Sequence, residues 1–483
     1  MSRNRKTVIA LVIVALVALC ATLGACQSFK YGPVGPLTDG ETTNNGSLAV
    51  MQDGYVYYVN GMESTSSITK PTDNYFGKAS VKGSIMKSKL NDDGTLSETA
   101  VVVPKMFHTT YADGGIYIYG QWIYYVSSST KTDNQNKVLT STLEFMRTTT
   151  DGSKTQSIAI VNGESTQYIV TAGALVYYDS ADKKVMRVSF TDDKIGQTDT
   201  ICEEVSSVMF TKQSDAIFLT KASEQKNVMA NEVYMSVAGG DFVKLIDEKT
   251  FASATEGDVP YAEQMSVSPI RYDAATKTLY YTRTAQGGDR AAGTYGFTFD
   301  NVQEPKFDKT KEVKYANSAL SGVTPIGAGL MTTAAAEVVI YKPITDLVSG
   351  SNNTVKTQAY SAAPTVLFFE GDYMYYLVSN KLMRCTGYDT EYPQEEKLSD
   401  VTVSSSWLAA TRLNGYLYFI NTDESSYLYR MQYSTFAFGN DLLKAQIVSG
   451  YEESDKTEDG LLPKFMTEAD QKTYITAHPA EKD

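Results

Sequence analysis

Histidine, tryptophan, cysteine and long apolar runs are all scarce in this 483-residue chain, and each scarcity removes a class of function. Two histidines, His108 and His478, cannot assemble a histidine-based zinc site, an HExxH helix or a Ser/His/Asp triad, so no catalytic residue, metal ligand or cofactor is assigned. His108 reads as a side chain satisfied at a sheet edge. Gly327-Ala328-Gly329 has no helical pattern after it and so is no dinucleotide loop. Asn91-Asp92-Asp93-Gly94 lacks the other oxygen ligands of a calcium loop and reads as a turn. Basic residues are outnumbered, 43 against 56 acidic, and the net charge of −13 repels nucleic acid. Only one apolar run is long enough to matter, and no helical periodicity follows it.

That run, Val8 to Leu19, follows Arg3, Arg5 and Lys6 and closes on Leu23-Gly24-Ala25-Cys26. Basic residues ahead of an apolar core hold that end in the cytoplasm, and small residues before a cysteine suit a signal peptidase. The segment resembles the bacterial lipobox. The resemblance implies that residues 1–25 are a lipoprotein signal peptide and that Cys26 is acylated, anchoring the chain to a membrane on its extracytoplasmic side. An uncleaved signal anchor would change the anchor and not the side. Loss of residues 1–25 leaves 40 basic and 56 acidic side chains, a net charge of −16. Cys202 and Cys385 then remain, and their positions in the repeats below predict two unbridged, buried thiols.

Repeats dominate what is present. An aromatic doublet closes an alternating strand at Tyr57-Tyr58, Tyr124-Tyr125, Tyr177-Tyr178, Tyr280-Tyr281, Tyr375-Tyr376 and Tyr418-Phe419, with weaker copies at Ala216 to Leu219 and Val338 to Tyr341. The mean interval from Tyr58 to Phe419 is about 52 residues, one four-stranded propeller blade with its loops. A second element, an apolar residue then Met or Tyr then a cation, recurs at Ile85-Met86-Lys87, Phe145-Met146-Arg147, Val185-Met186-Arg187, Leu382-Met383-Arg384 and Leu428-Tyr429-Arg430, and marks third strands. Turn residues stand between first and second strands (Asp53-Gly54, Gly120-Gln121, Gly371-Asp372, Asn414-Gly415) and between third and fourth (Asp151-Gly152, Asp192-Asp193). The reading is an all-β propeller over residues 47–450, with eight four-stranded blades and seven as the alternative. With 34 Tyr, the gaps between blades are filled by rings whose hydroxyls can still find a partner.

The doublets resemble the YWTD propellers of low-density-lipoprotein-receptor relatives. They are closer still to a bacterial lipoprotein domain family likened to the propeller of the prolow-density-lipoprotein-receptor-related protein. The likeness spans roughly residues 47–450 and departs from the YWTD form, since no doublet has Trp second and only Tyr177-Tyr178-Asp179 keeps the Asp. What it implies is a secreted, lipid-anchored propeller; the animal receptors' ligands do not come with it.

Function is expected where the repeats lengthen. The step from second-strand end to third-strand Met or Tyr is 7 to 10 residues in compact blades but 28 in the first (58 to 86) and 21 in the second (125 to 146). Links from second to third strand leave one face of the ring, and longer stretches near 221–232, 284–294 and 343–354 are assigned to it. The first carries Lys70, Asn74, Tyr75 and Phe76, two aromatic platforms beside polar donors that suit a sugar ring or a partner protein. Trp407 begins an expected innermost strand on this side. Residues 26–46 read as a lipidated N-terminus and tether that adds an outer strand to close the ring, and 451–483 as an acidic, partly disordered tail. The expected function is a non-catalytic binding or scaffold module for an envelope protein or glycan. The alternative is a carbohydrate-active enzyme, a glycan hydrolase or lyase using rim carboxylates.

Overall fold

A computed structural model describes residues 42–448 except 62–82, 104–114, 129–141, 163–165, 213, 224–230, 248–249, 251–264, 286–291, 335–336, 346–351, 357–362, 391, 405–409, 424–426, 438 and 440. Eight antiparallel sheets follow one another along the chain, each with its strands in sequence order. Blade 1 comprises Ala49–Gln52, Tyr55–Val59, Ile85–Leu90 and Leu96–Val103, and blade 2 Tyr117–Tyr119, Trp122–Ser128, Thr142–Thr149 and Thr155–Asn162. Blade 3 is Tyr168–Val170, Ala174–Asp179, Lys184–Phe190 and Ile195–Cys202, and blade 4 Val205–Phe210, Ala216–Ala222, Asn231–Val237 and Val243–Ile246. Blade 5 has Met265–Asp273, Thr278–Ala285, Gly293–Thr298 and Val313–Ala316; blade 6 has Thr324–Ile326, Gly329–Ala334, Glu337–Lys342 and Asn353–Lys356. Blade 7 holds Thr365–Glu370, Tyr373–Val378, Lys381–Thr386 and Gln394–Thr402, and blade 8 Thr411–Leu413, Tyr416–Asn421, Tyr427–Gln432 and Gln446–Ile447. The chain is an eight-bladed β-propeller. Among the described residues the only helical elements are 3-10 turns at Lys309–Lys311 and Tyr433–Thr435.

Each doublet puts one ring on each face of its blade, which is why the pair repeats. In blade 1, Tyr57 and Tyr58 are both buried, and the Tyr58 hydroxyl meets Ser88 Oγ at 3.1 Å. Blade 2 repeats the arrangement with Tyr125 and Thr148 Oγ1, also 3.1 Å apart. Buried hydroxyls thus find partners on the neighbouring strand of their own sheet, avoiding the penalty of an unpaired polar group. Blade 3 slips by one residue: Arg187 lies opposite Val176, so the inward pair is Val176-Tyr177 and Tyr178 falls outside it.

The cations of the second repeated element join the blades. Arg147 lies 4.0 Å from the ring of Trp122 in its own blade and donates from Nη1 and Nη2 to Thr191 O (2.6 Å) and Asp192 O (3.3 Å) in the hairpin of blade 3. Arg430 stacks 4.2 Å from Tyr416 and donates to Gly94 O of blade 1 at 2.9 Å. Arg187 reaches Gly239 O (3.1 Å), Arg384 reaches Phe436 O (3.2 Å) and Lys87 reaches Thr150 O (3.4 Å), each in the following blade. A charged donor gives the stronger kind of hydrogen bond, and an aromatic face tolerates the charge where water is excluded. Facing the next blade at the same position, blades 4, 5 and 6 carry Met235, Gly296 and Ile340.

Three expectations need correction. Val338–Tyr341 belongs to the third strand of blade 6; the second is Gly329–Ala334, which has no aromatic residue, and Gly327, at φ 51°, sits in the turn before it. Stretch 343–354 consequently joins third to fourth strand and leaves the opposite face from the one assigned to it. Thr42–Thr43 pairs with Met51 and Gln52 of the innermost strand of blade 1, so the N-terminal segment enters the channel and adds no outer strand. Ring closure rests instead on packing: Leu413, Tyr416, Tyr418, Ile420, Tyr427, Leu428 and Val448 of blade 8 share one buried apolar cluster with blade 1. Cys385 is buried on blade 7, but Cys202, at the end of the outermost strand of blade 3, is half-buried because no further strand covers that edge.

Candidate functional site

Every residue singled out by sequence, namely Cys26, Lys70, Asn74, Tyr75, Phe76 and Trp407, lies outside the described residues. Their points of attachment are nonetheless defined. Between second and third strands, 25 residues separate Val59 from Ile85 in blade 1 and 13 separate Ser128 from Thr142 in blade 2, followed by 8 in blade 4 and 7 in blade 5. Blades 6 and 7 need only two. Links between first and second strands, on the other face, are two to five residues long. Long links therefore gather on one face over blades 1, 2, 4 and 5.

A second locus, missed by sequence reasoning, is the central channel. The segment ahead of blade 1 turns into it through two left-handed residues, Asn44 at φ 66° and Gly46 at φ 80°. Asn45 fixes the turn by pairing its amide with the backbone of Ile118, Nδ2 donating to the carbonyl (3.1 Å) and Oδ1 accepting from the N–H (2.8 Å). Asn44 Nδ2 donates to Arg412 O at 2.6 Å, and Ser47 pairs with Ile116, so the segment bridges blades 8, 1 and 2. Gly46 is constrained as well as bent: a Cβ there would lie 3.0 Å from the Tyr117 hydroxyl and 3.1 Å from Lys212 Cβ.

Beside this segment, the inner strands enclose a cavity of about 610 Å³. Its charged lining residues are Lys212, in the turn after Val205–Phe210, Arg271 on the first strand of blade 5 and Arg412 on the first strand of blade 8; no carboxylate lines it. Burial pushes the Lys212 ammonium down to about 8 and holds Arg271 below the usual guanidinium range. Arg271 donates to Val323 O (3.3 Å), while Arg412 donates to Phe369 O (3.4 Å) with the Phe368 ring 5.0 Å away. A smaller space of about 440 Å³ adjoins it on the side of Tyr119 and Asp215, whose carboxyl burial raises. One signal for this site was present in the sequence: Arg271 and Arg412 each interrupt an innermost-strand pattern that packing alone would fill with apolar residues.

No protein-family profile matches the chain, and no curated protein matches it in sequence. Solved structures do match in backbone course. A prolyl endopeptidase is 10% identical over 83% of this chain and 54% of its own, with a TM-score of 0.40. The chain thus spans about half the length of that enzyme. A periplasmic gluconolactonase of Pseudomonas aeruginosa is 10% identical over 63% of this chain and 95% of its own (TM-score 0.33). The β-propeller domain of the Trilobed protease from Pyrococcus furiosus is 10% identical over 72% and 96% (TM-score 0.35). No activity follows from these likenesses. Among the described residues, no group of three or more His, Cys, Asp or Glu side chains is placed to hold a metal ion.

Proposed function

We propose that the chain is a lipid-anchored, extracytoplasmic propeller that works as a non-catalytic binding module, holding an envelope protein or glycan against its long-link face. The observation carrying this reading is the unequal length of the links: 25 and 13 residues in blades 1 and 2 against two in blades 6 and 7, all on one face of a rigid ring. Chain length spent on one face of a scaffold is where recognition is usually built. The anchor is acylated Cys26, and two or three acyl chains, at roughly 0.8 kcal/mol per buried CH2, hold a protein at a membrane where one would not. Lys70, Asn74, Tyr75 and Phe76 are the proposed contact residues, with Trp407 beside them. The fold is compatible with this use and imposes no chemistry of its own.

Photocrosslinking in intact cells tests it, with the reactive group at Tyr75 and a control at Asp151, which lies in the opposite-face hairpin of blade 2. A discrete protein or glycan adduct at Tyr75 alone, lost on Phe76→Ala, is the expected result. Equal labelling at both positions would refute the assigned face. Glycan turnover by the full chain, abolished by neutralising one rim carboxylate without a change in melting temperature, would move the reading to a glycan hydrolase or lyase.

A further inference from the structure

We propose that the central channel is a separate ligand site, in which Lys212, Arg271 and Arg412 bind a small organic anion bearing a carboxylate or phosphate. It is independent of the long-link face and does not require that reading to hold.

The first argument is charge. The whole chain carries −13, so its average surface repels anions, yet this cavity is lined by three cations and by no carboxylate. They come from blades 4, 5 and 8 and converge only because the ring closes. A cavity walled by low-dielectric side chains concentrates such a field, and Phe210, Tyr272 and Phe368 supply that wall. The nearest carboxylates flank the cavity. Glu370 is 3.9 Å from Arg412, with both side chains partly exposed, and Asp215 belongs to the adjoining space.

The second argument is the state of the cations. Burial disfavours the charged forms of Lys212 and Arg271, and a bound anion would restore them. Arg271 and Arg412 each use Nη1 on a backbone carbonyl, which orients the guanidinium; its five N–H groups leave donors for a planar or tetrahedral oxyanion. The third argument is size and surface. About 610 Å³ lies within the range of sites that enclose small organic molecules, and the mixture of aromatic wall and clustered cations suits an anion with an apolar or ring body.

Calorimetric titration of the full chain in detergent, at fixed ionic strength, tests this with glucuronate, glucose 6-phosphate and uncharged glucose. Saturable binding of at least one anion and none of glucose is expected, and the preferred anion identifies carboxylate or phosphate as the recognised group. Arg412→Met should weaken binding roughly tenfold, the value of one charge-assisted hydrogen bond. Affinity should fall as pH rises through the Lys212 value of about 8, and Lys212→Arg should remove that fall. The other titratable groups around Lys212 are Asp215 on its own turn, Tyr117, Tyr119 and Tyr272. Asp215 is already charged at that pH, and burial pushes the three tyrosines above their ordinary value, so none changes charge there. Acetic anhydride labelling of Lys212, slowed by the bound anion, reports the same site without any substitution. Absence of saturable binding up to about 10 mM, equal binding of glucose, or affinity unchanged in Arg412→Met would overturn the proposal.

Discussion

The seam between blades 8 and 1 and the seam between blades 5 and 6 are built from different materials. No covalent link crosses the first. It is held by seven buried residues of blade 8 packed with blade 1, by Arg430 on Gly94 O, and by the Leu48 N–H on Thr411 Oγ1 at 3.2 Å. The chain itself crosses the second, where the shared buried cluster is only Tyr280, Tyr315, Val323 and Leu330. Gly296 takes the place of the latching cation there, because the rings of Tyr280 and Tyr315 occupy its space. Where the polymer supplies the connection, bringing two blades together costs less entropy and thinner packing suffices; where it does not, side chains must supply the whole.

The comparison breaks first at Arg430. This guanidinium is 1% exposed, so Arg430→Met removes a buried charged donor and leaves Gly94 O unpaired, at a cost of about 3 kcal/mol in denaturant unfolding. Arg187, half-buried and without an aromatic partner in its blade, should cost about 1 kcal/mol. Equal losses would mean that the closing seam has no special standing. Gly94→Ala probes the same seam from the other side: at φ 78°, its new Cβ would meet the Tyr416 hydroxyl at 2.7 Å, for about 2–3 kcal/mol. Gly54→Ala, at φ 76° with nothing within 4 Å, isolates the backbone part at about 1 kcal/mol.

The thin seam offers the next effect. Gly296→Ala pushes a Cβ to 3.0 Å from Tyr315 and 3.1 Å from Tyr280, and should cost about 1–2 kcal/mol. Native-state hydrogen exchange places that loss. Amides of blades 5 and 6 should already open before those of blades 8 and 1, and the substitution should speed them about tenfold while leaving blades 8 and 1 unchanged. First opening at the 8/1 seam would reverse the ranking.

Much of this fold was written along the chain, because a blade is a local unit whose strands, turns and doublets lie within about 50 residues of one another. Blade 6 escaped for a physical reason. Tyr341 looked like a doublet tyrosine, but the true second strand fills its space with Leu330, Met331 and threonines, leaving no aromatic mark. Arg147 and Arg430 were visible as a repeat and not as latches, since their acceptors are backbone carbonyls of the next blade and no residue type announces a carbonyl. The channel cavity was the least legible feature. Lys212, Arg271 and Arg412 are scattered over three blades and meet only after ring closure, whereas the loop carrying Tyr75 could be picked out from its length alone.

The smallest expected effect separates the one titratable latch from the arginines. Lys87, 2% exposed and reaching Thr150 O, is held below the ordinary lysine value by burial, against the raising pull of Asp151 and Glu98. The unfolded chain therefore binds this proton more tightly than the folded one. Lys87 accordingly adds stability as pH rises from its folded value toward 10.5 and withdraws it as pH falls. Tyrosines act in the opposite sense: Tyr57 nearby is pushed up to about 12 by burial, so above 10.0 the unfolded state loses protons first and stability declines. Arginine does not titrate in this range, and Lys87→Arg places at blade 1 the side chain that blades 2 and 8 already accommodate. Melting temperatures followed upward from neutral pH should show wild type gaining on Lys87→Arg until tyrosine ionisation begins, with the two curves parallel beyond it. A constant difference throughout would mean that this latch carries no buried charge, and that the 1/2 seam belongs with the thin seams rather than with the closing one.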